Sequence, residues 1–297
     1  MRIARPGAPG HLVDAMSPAF AALLPCCHRR ERNSMSDAIT PNPWHTLRRH
    51  TPARIGLGRA GVSQPTAAHL AFQLAHAQAR DAVHRELDHV ALAAALNEAG
   101  LETLDLHSAA ADRAAYLQRP DLGRRLDDRS TAVLSSLDAQ QQPDLALVVA
   151  DGLSALAIER HAVRFVEALR PLLADGWRWS PVAIVRQARV AIGDPIGQAL
   201  GAKLVVVLIG ERPGLSSPDS MGVYVTWAPR PGRVDAERNC ISNVRPEGLA
   251  PATAAARLAW LLQEARARQV TGVALKDESV EVAPAVETRE PFRLDRR

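Results

Sequence analysis

Residues 204–209 read Leu-Val-Val-Val-Leu-Ile, an unbroken aliphatic run that stops at Gly210. It is too short for a helix and too apolar to show either face to water, so it predicts a strand buried on both sides of a parallel sheet. That demand constrains the whole chain, because a two-sided core needs helices above and below it. Gly210, Pro213 and Gly214 break the run. Glu211 and Arg212 then place opposite charges at the carboxyl end of the strand, the edge where open α/β sheets bind ligands. A surface loop with a merely solvated Glu and Arg fits the same residues equally well.

Other segments supply the partners. Leu145–Ala150, residues 182–185 and Met221–Trp227 predict further strands. Between the first two, Ala155, Ile158, Ala162, Phe165, Leu169 and Leu172 mark a helix, which makes a strand-to-helix crossover. Asp194 and Pro195 form a cap-and-first-turn signal for a short helix ending at Gly201. Residues 229–251 read as irregular, and Pro251 opens an amphipathic helix whose apolar face carries Leu258, Leu261 and Leu262. Upstream the pattern is helical: residues 66–87 with Ser63 as a cap and Leu70, Leu74 and Ala77 on one face, then residues 90–98 and 126–137. The expected fold class is α/β. An N-terminal helical domain over residues 41–138 is followed by a Rossmann-like, mainly parallel α/β domain over residues 143–276. Residues 1–40 are expected to be disordered or an untranslated extension, with Met35 as an alternative start, and residues 277–297 a flexible tail.

Composition excludes several classes. The 297 residues are 47% hydrophobic, enough for a substantial core. A net charge of +4 raises nucleic-acid binding, but arginines alternate with acids, as in Arg124-Arg125-Leu126-Asp127-Asp128-Arg129, and four Phe with two Tyr offer few stacking surfaces. Three cysteines, two of them adjacent at Cys26 and Cys27, make no disulfide framework, and with no Cys-x-x-Cys no zinc site is expected. A reducing cytosol fits that usage. No apolar run approaches the roughly 20 residues that span a bilayer.

Motifs of self-sufficient catalysis are missing. Gly56-Leu-Gly58-Arg-Ala-Gly61 matches Gly-x-Gly-x-x-Gly, but residues 51–55 before it do not read as a strand. Neither Gly-x-x-x-x-Gly-Lys-Ser/Thr nor Gly-x-Ser-x-Gly occurs. Asp151-Gly-Leu-Ser154 at a strand-to-helix turn reads as an ordinary cap before an anion site. Cys240 reads as a buried or ligand-facing thiol rather than a nucleophile. His69, His76 and His84 are about two turns apart, too far for one metal.

Gly58-Arg-Ala-Gly61, Arg119-Pro-Asp-Leu-Gly-Arg-Arg-Leu126, Asp151-Gly-Leu-Ser154, Gly210-Glu-Arg-Pro-Gly-Leu215 and Asn239-Cys-Ile-Ser-Asn243 together resemble the ethanolamine ammonia-lyase small (light) subunit family. The resemblance extends over about residues 41–275 in the right order. It implies part of an adenosylcobalamin-dependent lyase that converts ethanolamine to acetaldehyde and ammonia by radical rearrangement. It further implies a hetero-oligomer in which the large subunit holds substrate and catalytic residues in a barrel, so that no catalytic residue falls in this chain. The cobalamin contacts it carries over are Val190, Glu211 and Cys240. Asp105-Leu-His107 with Ala110 fails the Asp-x-His-x-x-Gly pattern, which agrees with a base-on cofactor keeping its own dimethylbenzimidazole. The resemblance places the chain in the cytoplasm or inside a bacterial microcompartment. The rival reading is a stand-alone Rossmann-like nucleotide-binding protein.

Overall fold

The computed structural model describes residues 39–137, 142–173 and 176–279. The expectations for the first 34–40 residues and for the tail fall almost wholly outside those residues. Among them, the helices are α1 (Thr66–His84), α2 (His89–Glu98), α3 (Arg113–Gln118), α4 (Asp128–Ser135), α5 (Ala155–Leu169), α6 (Gly193–Ala199) and α7 (Pro251–Arg268). The strands are β1 (Thr103–His107), β2 (Leu145–Ala150), β3 (Val182–Arg186), β4 (Leu204–Gly210), β5 (Met221–Trp227) and β6 (Arg238–Val244). They form one six-stranded sheet in the order β1-β3-β2-β4-β5-β6. β1, β3, β2 and β4 run parallel, while β5 and β6 are each antiparallel to their predecessor. The fold is α/β with a mixed sheet.

Every residue of β2 and β4 is buried, as their aliphatic runs require. Alternation along them separates two cores. Leu145, Leu147, Val206 and Leu208 pack with Phe165 of α5 and Leu258 and Leu262 of α7. Ala146, Val148, Val205 and Val207 pack on the other face with Ile196 of α6 and Leu134 of α4. None of the described helices is long and apolar enough to cross a membrane.

Two strands were not expected. β1 lies within the segment read as helical and pairs with β3 over its whole length. It is an edge strand with only Leu106 buried, so its sequence lacks the aliphatic signature of β2 and β4. β6, read as irregular, is the opposite edge, and only Arg238, Ile241 and Val244 of it are buried. The Ser63 cap is not formed: α1 starts after Pro65 with no side-chain cap. Its Leu70 and Leu74 stay 57% and 60% exposed, and the buried residues of α1 are Ala75 and Ala82.

Asp194 does not cap its helix either. It sits inside the first turn of α6 and accepts both guanidinium nitrogens of Arg238, Nη1 to Oδ1 at 2.7 Å and Nη2 to Oδ2 at 2.6 Å. Both side chains are 2% exposed, and Thr226 Oγ1 lies 2.9 Å from Arg238 Nη1. This pair ties edge strand β6 to the helix on β4. Asp194→Ala strands a buried guanidinium and is expected to lower unfolding free energy by about 3–5 kcal/mol in urea titration. The double variant Asp194→Leu/Arg238→Met is expected to recover most of that loss.

Candidate functional site

The sheet is covered unevenly. α6 lies over β4 and β2, and α4 over β1, on one face. α7 packs on β5 and β6 from the other, where Met221, Val223 and Val225 point into its core. The alternate residues of β5, Gly222, Tyr224 and Thr226, therefore face the side on which no helix packs closely over β5 and β6. Residues opposite each other in an antiparallel pair share a face, and Cys240 is opposite Tyr224.

Glu211 leaves the end of β4 beside this open face. Its N–H donates to Ser220 O at 2.9 Å, closing the loop of residues 211–220. Its carboxylate accepts the Ser220 hydroxyl and, at 3.1 Å, the N–H of Asn243. The carboxylate lies over Gly222, where a Cβ would stand 3.1 Å from Glu211 Oε1 and 3.2 Å from Tyr224 Cε2. A side chain at that position would crowd Glu211 and Tyr224. The far end of the loop is pinned by Asp219, which receives Arg160 Nη1 at 2.8 Å and Arg245 Nη1 at 2.9 Å, with His161 Nε2 at 3.5 Å. Burial works against the Asp219 carboxylate, but these cations hold its pKa below the ordinary value. Ser154, besides capping α5 through Ala157 N–H, donates to Pro218 O at 2.8 Å. The Asp151-Gly-Leu-Ser154 turn is a cap, and it also braces this loop.

Cys240 is exposed, opposite Tyr224 across the β5–β6 pair. Partial desolvation against the sheet and the negative charge of Glu211 push the thiol up, and the neighbouring tyrosine hydroxyl only partly opposes them. Burial, then the neighbouring thiol, raises Tyr224 as well. Arg238, two residues away, is committed to Asp194 and does not activate the sulfur. Cys240 presents a neutral thiol, not a nucleophile.

Val190 lies past β3, half-buried in a short 3-10 turn, Val190–Ile192. The preceding residues are held by Asp151, whose carboxylate accepts the N–H groups of Gln187 at 2.9 Å and Ala188 at 3.0 Å. Arg113 Nη1 donates to Gly152 O at 2.9 Å, and the guanidinium groups of Arg113 and Arg189 both lie over the buried ring of Tyr116, at 4.8 and 4.2 Å from its centre. Val190 packs against the same apolar layer as Tyr224.

The structure thus brings Glu211 and Cys240 together around Tyr224 and leaves Val190 on a separate loop. Val190 lies on the turn that carries the chain from β3 to Gly193, which packs on Val205 and Val207 of β4, while Cys240 is on β6. Sequence reading missed Ser220, Gly222, Tyr224 and Asn243. The alternation Met-Gly-Val-Tyr-Val-Thr-Trp in β5 was the available signal for Gly222 and Tyr224. No cluster of metal-ligating side chains occurs among the described residues. Residues 51–55, before the glycine motif, contain no strand.

Alkylation of Cys240 by iodoacetamide, followed by peptide mass spectrometry, is expected to show a pH midpoint above that of an unperturbed thiol, about 8.5. A midpoint below that value would contradict the neutral-thiol assignment.

Residues 41–276 match the family model described as ethanolamine ammonia-lyase light chain (EutC). The ethanolamine ammonia-lyase small subunit of Pseudomonas syringae pv. tomato is 61% identical over 251 residues, covering 83% of this chain and 88% of the relative. That of Pseudomonas aeruginosa is 60% identical over 248 residues, covering 82% and 91%. The Ralstonia nicotianae small subunit is 57% identical over 268 residues, covering 89% and 99%.

Proposed function

The chain belongs to the ethanolamine ammonia-lyase light-chain family, and we propose that it forms one wall of an adenosylcobalamin site that a large subunit completes. The observation that carries this reading is the cluster at the carboxyl end of β4, with Glu211 held over Gly222 beside Tyr224 and near the exposed Cys240. The residues fit such a group. Contacts offered from the turn after β3, the end of β4 and strand β6 suit a broad ligand such as a macrocycle. When bound, adenosylcobalamin supplies the radical chemistry through homolysis of its cobalt–carbon bond.

This chain's residues bind and orient. Glu211 has two carboxylate oxygens, and only Oε2 is engaged by Ser220 and Asn243, so Oε1 is left to accept an amide N–H or ribose hydroxyl. Val190 provides apolar contact, and Cys240 with Tyr224 a soft neutral surface. Closing this wall against the large subunit excludes water from the site. Ala110 in place of glycine after Asp105 and His107 supports a cofactor that would keep its own base. Conversion of ethanolamine to acetaldehyde and ammonia then rests on the large subunit, and the complex works in the cytoplasm or within a microcompartment.

Co-expression with a large subunit is expected to give acetaldehyde from ethanolamine only with adenosylcobalamin and both chains. Glu211→Ala is expected to raise the apparent KM for cofactor roughly tenfold with assembly intact. An unchanged cofactor titration would remove Glu211 from the site.

A further inference from the structure

α1 carries an apolar stripe that its own fold does not bury. Leu70 and Leu74, one helical turn apart, are 57% and 60% exposed, and Phe72 on the flank is 40% exposed. Exposed aliphatic side chains clustered on one helix mark an interaction surface. Trp44, in the 3-10 turn Pro43–Arg49 that precedes α1, is 56% exposed as well.

The charge around this stripe has one sign. Residues 39–85 contain Arg48, Arg49, Arg54, Arg59, Arg80 and Arg85 against a single acid, Asp81. Arg85 is spent on Glu159 of α5 at 2.6 Å, which anchors the base of α1. Arg80 is on α1 with the stripe, and Arg48, Arg49, Arg54 and Arg59 lie in the segment that leads to it. Basic charge flanking apolar side chains selects a partner with acidic groups around an apolar groove.

The arm is also continuous with the site. Arg54 Nη2 donates to Leu215 O at 3.2 Å, inside the loop that begins at Glu211. Arg80 and Val83 of α1 line a cavity of about 490 Å3 together with Arg189, Arg212 and Pro213. Any chain that covers Glu211 and Val190 at the carboxyl edge of the sheet therefore arrives beside α1.

We propose that residues 39–85, centred on the Leu70 and Leu74 stripe, are the docking surface for an acidic, apolar face of the large subunit. This rests on the reading of the chain as the small subunit of a two-chain lyase. Two other occupants fit the charge less well. A second copy meeting arm to arm would oppose like charges. Residues 1–38 of the same chain carry five arginines against three acids, so they too are net basic.

The test is titration of the full-length chain against purified large subunit at low and high salt. Leu70→Asp/Leu74→Asp is expected to weaken binding roughly tenfold or more, since buried apolar anchors dominate interface energies. Both positions are exposed, and circular dichroism confirms that the variant keeps its fold. Arg48→Glu/Arg49→Glu is expected to weaken binding mainly at low salt. Unchanged affinity in the leucine variant, with wild type binding normally, overturns the proposal. So does a leucine variant that only dissociates a self-dimer, or a stripe already protected from hydrogen exchange in the isolated chain. Failure of wild type to bind any large subunit is a different result, and it strikes the two-chain reading itself.

Discussion

A single buried carboxylate, Asp151, sets the geometry of the sheet's carboxyl edge. It ends β2, accepts the backbone of the loop after β3, and lies 3.4 Å from the guanidinium of Arg113, which is also bonded to Gly152. Burial pushes its carboxyl up, and those donors oppose the effect. Without it, two buried N–H groups would lose their acceptor and a buried guanidinium its counter-charge. Gly152 has φ +56°, and a Cβ there would stand 2.2 Å from Gly210 O, so the end of β4 is pressed directly on the same turn. Three strand ends become one rigid unit. The positions of Val190 and Glu211 follow from it, because each is the next turn of chain beyond that unit.

The parts of the fold that were legible in sequence are those whose burial is two-sided. β2 and β4 announce themselves because an exposed polar face is forbidden to them. β5 was legible through one face, on which Met221, Val223 and Val225 are fully buried. β1 and β6 were not, because an edge strand satisfies half its backbone elsewhere and tolerates Asp105, Asn239 or Ser242. Local capping rules misplaced Asp194 for a similar reason. A side chain 44 positions away in sequence, Arg238, offers it a stronger bond than the helix amides do.

The site divides along the same line. Glu211 was visible because it follows an unmistakable strand. Its setting was not, because Ser220, Asn243 and Gly222 reach it only through the loop closure and the β5–β6 pairing. Cys240 drew notice as a lone thiol, but its chemistry is decided by its burial against the sheet and by Tyr224 and Glu211, neighbours that no local window contains. The resemblance supplied the residue identities, and the fold places the carboxylate and the thiol beside one tyrosine and the aliphatic side chain on a separate loop.

β6 is the free border of the sheet, and borders of this kind invite other chains to add strands. Its ladder is interrupted at both ends. The register slips between Met221 and Val223, and near its start Asn239 is bonded through its side chain to Gly272 N–H and Leu275 O. A neighbouring protein therefore finds little regular backbone there to extend. Higher assemblies of this molecule would grow by apposing side-chain surfaces, with each sheet closed within its own protomer, so subunits could separate and exchange without unzipping a shared ladder.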